Sequence, residues 1–83
     1  MTTREFKSAV NIEARIAARL VQTASRFASR VLIKRDNMEV NCKSIMGIIS
    51  MCVSDGDVIT VTASGADEAE AVDTLAKMLA EAK

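Results

Sequence analysis

The chain has 83 residues with eleven basic and eleven acidic side chains, so its formal net charge is zero, and residues 1–83 are expected to form one domain with a small core. Balanced charge gives no bulk attraction to nucleic acid or an anionic membrane surface, and two phenylalanines are too few aromatics for a base-stacking platform. No apolar run is long enough for a transmembrane helix, and Met1-Thr2-Thr3-Arg4-Glu5 lacks the apolar core of a signal peptide, so a cytoplasmic location is expected.

In chain order, Phe6, Ser8 and Val10 alternate with Glu5, Lys7 and Ala9, the period of a half-buried first strand. The period then changes. Ala14, Ala17, Ala18, Val21 and Ala24 recur at helical spacing, widened by Leu20 and Phe27, with Arg15, Arg19, Gln22 and Arg26 on the other side. Ser29-Arg30 ends this helix, and Val31-Leu32-Ile33 begins a second strand. Asp36-Asn37 supplies turn chemistry, and Met38, Val40 and Cys42 alternate along a third strand. Lys43 to Met51 is too apolar for a surface loop, and Ser44 is suited to cap a short helix there. Asp55-Gly56-Asp57 is a turn, after which Ile59, Val61 and Ala63 line one face of a fourth strand. Gly65-Ala66 breaks the chain again. Asp67 with Glu70 three residues on resembles a capping box, and Val72, Leu75, Ala76 and Leu79 form the apolar stripe of a last helix. Cys42 and Cys52 lack metal or redox spacing and are expected to be buried or half-buried free thiols. No metal site and no cofactor is expected.

The order is strand, helix, strand, strand, short helix, strand, helix. Hairpin-connected strands with single-sided helices argue an α+β sandwich, a four-stranded antiparallel sheet with helices on one face. Two helix starts are the candidate sites. At the first, Glu13 stands before a helix whose free N–H groups and dipole suit an anion. A plain reading is that Glu13 offsets the dipole, worth about 0.3–1 kcal/mol, and that Arg15 is a solvated charge. There is no histidine in the chain and no glycine-rich loop near Glu13, so a catalytic case is weak. At the second, the plain reading of Ser44 is a capping serine. The sharper reading is a phosphorylation site, where roughly −1.5 to −2 charge would sit beside Ile45, Met46 and Ile49. A helix this short cannot bury Ile45, Met46, Ile48, Ile49 and Met51 on one face, so some face solvent as an adaptable docking surface.

These segments resemble HPr, the histidine-containing phosphocarrier family of the sugar phosphotransferase system. Ala14-Arg15, Ala17-Ala18 and Val21-Gln22-Thr23-Ala24-Ser25 follow the family's first helix. Val40-Asn41-Cys42-Lys43-Ser44-Ile45-Met46-Gly47 resembles the stretch around its regulatory serine and is the most specific match. Gly56-Asp57, Ser64-Gly65-Ala66-Asp67-Glu68 and Ala71 fit the end of the pattern. The resemblance implies an HPr-like open-faced β-sandwich of order βαββαβα. It places Arg15 on the family's phosphate-side arginine, Ser44 on the serine modified by the HPr kinase/phosphorylase, and Ile45, Met46 and Ile49 on the partner-docking patch.

Three departures cluster in one loop. Glu13 falls on the phosphorylated histidine, Ile16 on a usual proline and Asn11 on a usual glycine. Phosphohistidine transfer needs a nitrogen nucleophile, so the phosphocarrier activity is expected to be lost and the chain not to be an enzyme. This pattern resembles the Crh-like branch, which lacks the active histidine and keeps the serine. For that branch the implied partners are the kinase/phosphorylase and a catabolite-control transcription factor, with phosphotransferase-system proteins as further candidates. Glu13 would present constant negative charge beside Arg15. The alternative is a working carrier that uses Glu13 as an acyl phosphate. Members of that branch exchange their first strand between chains, and monomer and swapped dimer both stay open here.

Overall fold

The computed structural model describes residues 1–80 of the chain. Its elements are β1 (Thr2–Lys7), α1 (Ala14–Ala24), β2 (Arg30–Arg35), β3 (Met38–Asn41), α2 (Ile45–Met51), β4 (Val58–Ser64) and α3 (Glu68–Ala80). This is the expected βαββαβα order. The four strands form one sheet in the order β1-β4-β2-β3, antiparallel throughout. Central β4 pairs Ile59 with Phe6 on one side and Val61 with Ile33 on the other.

Period-two burial divides the sheet's faces. Ile59, Val61 and Ala63 of β4 and Val31 and Ile33 of β2 are buried, while residues between them are half-buried or exposed. Ala17, Leu20 and Ala24 of α1 join the same core, as do Ala71, Val72, Leu75, Ala76 and Leu79 of α3. Burying a large aliphatic side chain contributes about 1.5–3 kcal/mol, so this one-sided apolar layer holds the helices to the sheet. Alanines on α1 and α3 let the helix backbones come close, and α2 packs on α1 and β3.

Several boundaries differ from the periodicity. The first strand ends at Lys7, and Ser8 is buried in a turn instead of continuing the strand. Its hydroxyl donates to the Val10 carbonyl, and its backbone N–H donates to Asp57. The Asp57 bond continues the β1–β4 register, and the hydroxyl's local bond to Val10 then competes with the sheet ladder. Phe27 lies beyond α1, half-buried against the core. Cys42 is buried just past β3, and burial alone pushes its thiol up to about 12. Cys52, expected to be at least half-buried, is exposed. It caps the end of α2 in a left-handed turn at φ 52°, its N–H donating to the Ile49 carbonyl.

The expected Asp67–Glu70 box also does not form. The Asp67 carboxylate reaches across to the loop after α1, accepting from the Ala28 and Ser29 backbone N–H groups at 2.9 Å each and from the Ser29 hydroxyl. These bonds, the Ser29 hydroxyl first, hold its acid below the ordinary aspartate range. Gly65 takes φ 152°, and a side chain there would run into the Ser29 backbone at 2.8 Å. Glu68 instead accepts from the Gly65 N–H at 3.3 Å, the Thr2 hydroxyl at 2.6 Å and the Met1 amine at 2.8 Å. The amine contributes most to lowering its acid to about 2.

Candidate functional site

The start of α1 is positioned by a loop strapped to the segment before β4. The Ile12 N–H donates to the Val53 carbonyl at 2.9 Å, and Asn11 Oδ1 accepts from the Asp55 N–H at 2.8 Å. Gly56 donates to the Ser8 carbonyl at 2.7 Å. Ile12 and Val53 are buried, so the strap has an apolar centre. Behind it, Asp57 accepts from the Ser54 N–H and from Arg35 at 3.1 Å, and these contacts, Ser54 first, lower its acid.

Glu13 is the N-cap residue of α1, extended at φ −94° and ψ −179°, and its carbonyl starts the helix by accepting from Ala17. Its side chain is exposed and makes no capping bond. Arg15 is exposed as well, and no ion pair joins the two. Residues two apart on a helix start do not face each other. Glu13 and Arg15 therefore stand as two exposed groups at one helix start. Ile16 is half-buried against the core.

The start of α2 is built differently. Ser44 is extended at φ −109° and ψ 106°, is exposed, and its Oγ accepts from the Gly47 N–H at 3.3 Å. Its carbonyl accepts from the Ile48 N–H at 3.1 Å. Ser44 is thus the capping serine that its place before an apolar run suggests. Of the residues that follow, Ile48 and Met51 are fully buried, whereas Ile45 is 39%, Met46 72% and Ile49 37% exposed. The expected division of a short apolar helix between core and solvent is observed, with the three outward residues directly after the serine hydroxyl.

Several supporting residues escaped the sequence. A side chain at Gly47 would meet Val40 Cβ at 3.1 Å and Ser44 Oγ at 3.3 Å, so this glycine lets α2 seat on β3. An isolated glycine in a helical run was the available signal. Lys43 sends its ammonium to the Phe27 carbonyl at 3.1 Å, tying the entry of α2 to the exit of α1. No spacing rule announces that contact, because it joins chain segments brought together only by the sheet.

Neither of two surface clefts includes Glu13 or Ser44. One of about 160 Å³ is lined by Arg4, Phe6, Ala76, Lys77 and Ala80. The other, about 330 Å³, is lined by Glu5, Lys34, Asp36, Val58 and Thr60. Among the described residues, no three His, Cys, Asp or Glu side chains are grouped to hold a metal ion, and no helix is long and apolar enough to cross a membrane. The chemistry on offer is a solvent-facing carboxylate at the start of α1 and a solvent-facing hydroxyl at the start of α2, the latter beside exposed apolar residues of its own helix.

Comparison with known proteins places this geometry. A family profile described as the PTS HPr component phosphorylation site matches residues 2–81. The HPr-like protein Crh of Bacillus subtilis is 44% identical over 77 residues, 93% of this chain and 91% of that protein. Among solved structures, HPr-C-His from Thermoanaerobacter tengcongensis superposes with a TM-score of 0.90 at 41% identity, covering 98% of this chain and 93% of that one. A crystal structure of the Bacillus subtilis catabolite repression protein Crh, described as a swapping-domain dimer, has a TM-score of 0.80 at 45% identity, covering 92% and 85%.

Proposed function

The chain belongs to the HPr family, and from that premise we propose that it is a non-catalytic HPr-like regulator in carbon catabolite control, switched by phosphorylation of Ser44. One observation carries the reading. A chain with no histidine keeps an exposed serine hydroxyl beside three outward apolar residues, Ile45, Met46 and Ile49. In this reading Glu13 stands where the carrier's histidine would be, and the family's transfer chemistry is built for an imidazole nucleophile rather than a carboxylate. Ser44 takes over as the group that changes charge. Its phosphate adds roughly −1.5 to −2 charge to a surface that is otherwise apolar, so the two states present different faces to a partner. Arg15 and the Ile45, Met46 and Ile49 patch form the docking surface. An HPr kinase/phosphorylase writes the mark, a catabolite-control transcription factor reads it, and the protein works in the cytoplasm.

The second reading is a phosphocarrier that loads Glu13. Its support is the free, exposed carboxylate at the α1 start. Two incubations separate the readings. With the kinase and ATP, one phosphate is expected by intact mass on the wild type and none on Ser44→Ala. With the phosphotransferase donor enzyme and labelled phosphoenolpyruvate, no label is expected. Label that disappears in Glu13→Gln would overturn the regulator reading in favour of the carrier.

A further inference from the structure

We propose that Asn41 is a positioning residue for Ser44, holding the serine in the orientation in which its hydroxyl accepts a phosphoryl group; the inference rests on the reading of Ser44 as the modified residue. Asn41 ends β3 and uses both of its oxygens on the residues that follow. Its side-chain Oδ1 accepts from the Lys43 N–H at 2.8 Å, and its backbone carbonyl accepts from the Ser44 N–H at 2.9 Å. The first bond is an Asx-type turn and the second closes a turn over the same residues. One residue thus satisfies the two N–H groups that immediately precede α2.

The turn has firm supports. Cys42, inside it, is buried and donates its N–H to the Val31 carbonyl at 2.9 Å. Lys43 is tied by its ammonium to Phe27, and Val40, just before Asn41, stands where a side chain at Gly47 would meet it. The backbone of Ser44 is therefore held from the strand side, while among the described residues its hydroxyl has one hydrogen bond, the 3.3 Å bond from the Gly47 N–H. A long single bond leaves Oγ ready to be aimed by the turn rather than by its own network. Asn41 itself is exposed, so replacing it leaves the core intact.

In the transfer, Ser44 Oγ forms a bond to the γ-phosphorus of ATP, the bond from that phosphorus to the bridging oxygen of the β-phosphate breaks, ADP leaves, and the hydroxyl proton passes to a base of the kinase. Such in-line attack is sensitive to the direction of the attacking oxygen. Without the Oδ1 bond the turn populates other conformations and the productive fraction falls.

The test measures steady-state phosphorylation of the full-length protein by an HPr kinase with ATP, for wild type, Asn41→Ala, Asn41→Asp and Asn41→Ser. Asn41→Ala is expected to lower kcat about tenfold, the equivalent of one net hydrogen bond, with KM for the protein held within about twofold because the apolar patch is untouched. Asn41→Asp keeps the acceptor and restores most of the rate. Asn41→Ser makes the same turn more weakly, carries no charge, and falls between. Amide exchange at Lys43 is read in parallel and should quicken in Asn41→Ala alone among the Ala and Asp variants. An unchanged kcat in Asn41→Ala, or an equal loss in Asn41→Asp, overturns the role of Asn41 while leaving Ser44 as the site. Absence of phosphate on the wild-type protein overturns the reading of Ser44 and this inference with it.

Discussion

The starts of α1 and α2 bear on function in opposite ways. At α1 the chain before the helix is strapped by Ile12 and Asn11 to Val53 and Asp55, yet the residue at the cap, Glu13, makes no side-chain bond to the helix it begins. At α2 the cap residue itself closes the helix, Ser44 Oγ accepting from Gly47, and the next turn exposes apolar side chains. A carboxylate with a longer stem reaches past the N–H groups that serine or aspartate would cap. The α1 start therefore displays a carboxylate that makes no capping bond, whereas the α2 start displays a neutral hydroxyl that a phosphate would charge. Under the proposed reading, capping and signalling would share one side chain at the second site, while the first site's carboxylate does neither job of a capping serine.

The largest effect expected to test this contrast is at Ser44. Ser44→Ala should abolish phosphate incorporation by the kinase and lower unfolding stability by about 1 kcal/mol through the lost cap, read by intact mass and urea melts. Glu13→Ala, by contrast, should leave phosphorylation at Ser44 unchanged.

Acid should weaken the third helix start. The Asp67 carboxylate is held below its ordinary range by Ser29 and Ala28, so its contribution is complete above the unfolded aspartate range and is lost as pH falls through the folded value. The expected result is a fall in Tm on acidification below about pH 4, with Asp67→Asn showing a lower Tm at neutral pH and a flatter acid limb. An unaltered acid limb in Asp67→Asn would move the pH dependence to other carboxylates.

Gly47→Ala should destabilise by about 1 kcal/mol. The gain in helix propensity, about 1 kcal/mol, is outweighed by overpacking of about 1–3 kcal/mol, because the contact atom, Val40 Cβ, is fixed to a strand. A more stable Gly47→Ala would show that β3 yields at this point. The smallest effect is at Glu13. Glu13→Asp should raise stability by about 0.5–1 kcal/mol, because the shorter side chain reaches the N–H groups of the first turn. No gain would mean that the strapped loop forbids capping geometry.

How much of this was legible in the chain varied with the range of the interaction. Alternation at Ile59, Val61 and Ala63 marked β4, and helical spacing of Val72, Leu75, Ala76 and Leu79 marked α3, since burial on one face imposes those periods. Ser44 as a cap and the partial exposure of α2 followed from local chemistry and from the geometry of a seven-residue helix. The end of β1 at Lys7 did not, because the Ser8 hydroxyl turns to the Val10 carbonyl where the alternation along the chain runs on.

By itself the sequence determined the element order, the one-sided apolar layers, the missing histidine and the serine at the entry to α2. These depend on side-chain type and on spacing within one element. Only the tertiary structure decided that Asp67 braces the α1 exit rather than its own helix, that Asn11 straps to Asp55, that Lys43 reaches Phe27, and that no ion pair joins Glu13 to Arg15. Each of these depends on where a polar group finds its partner in space. A carboxylate or an N–H group takes the partner the packed sheet and helices bring within reach, and no periodicity along the chain records that choice.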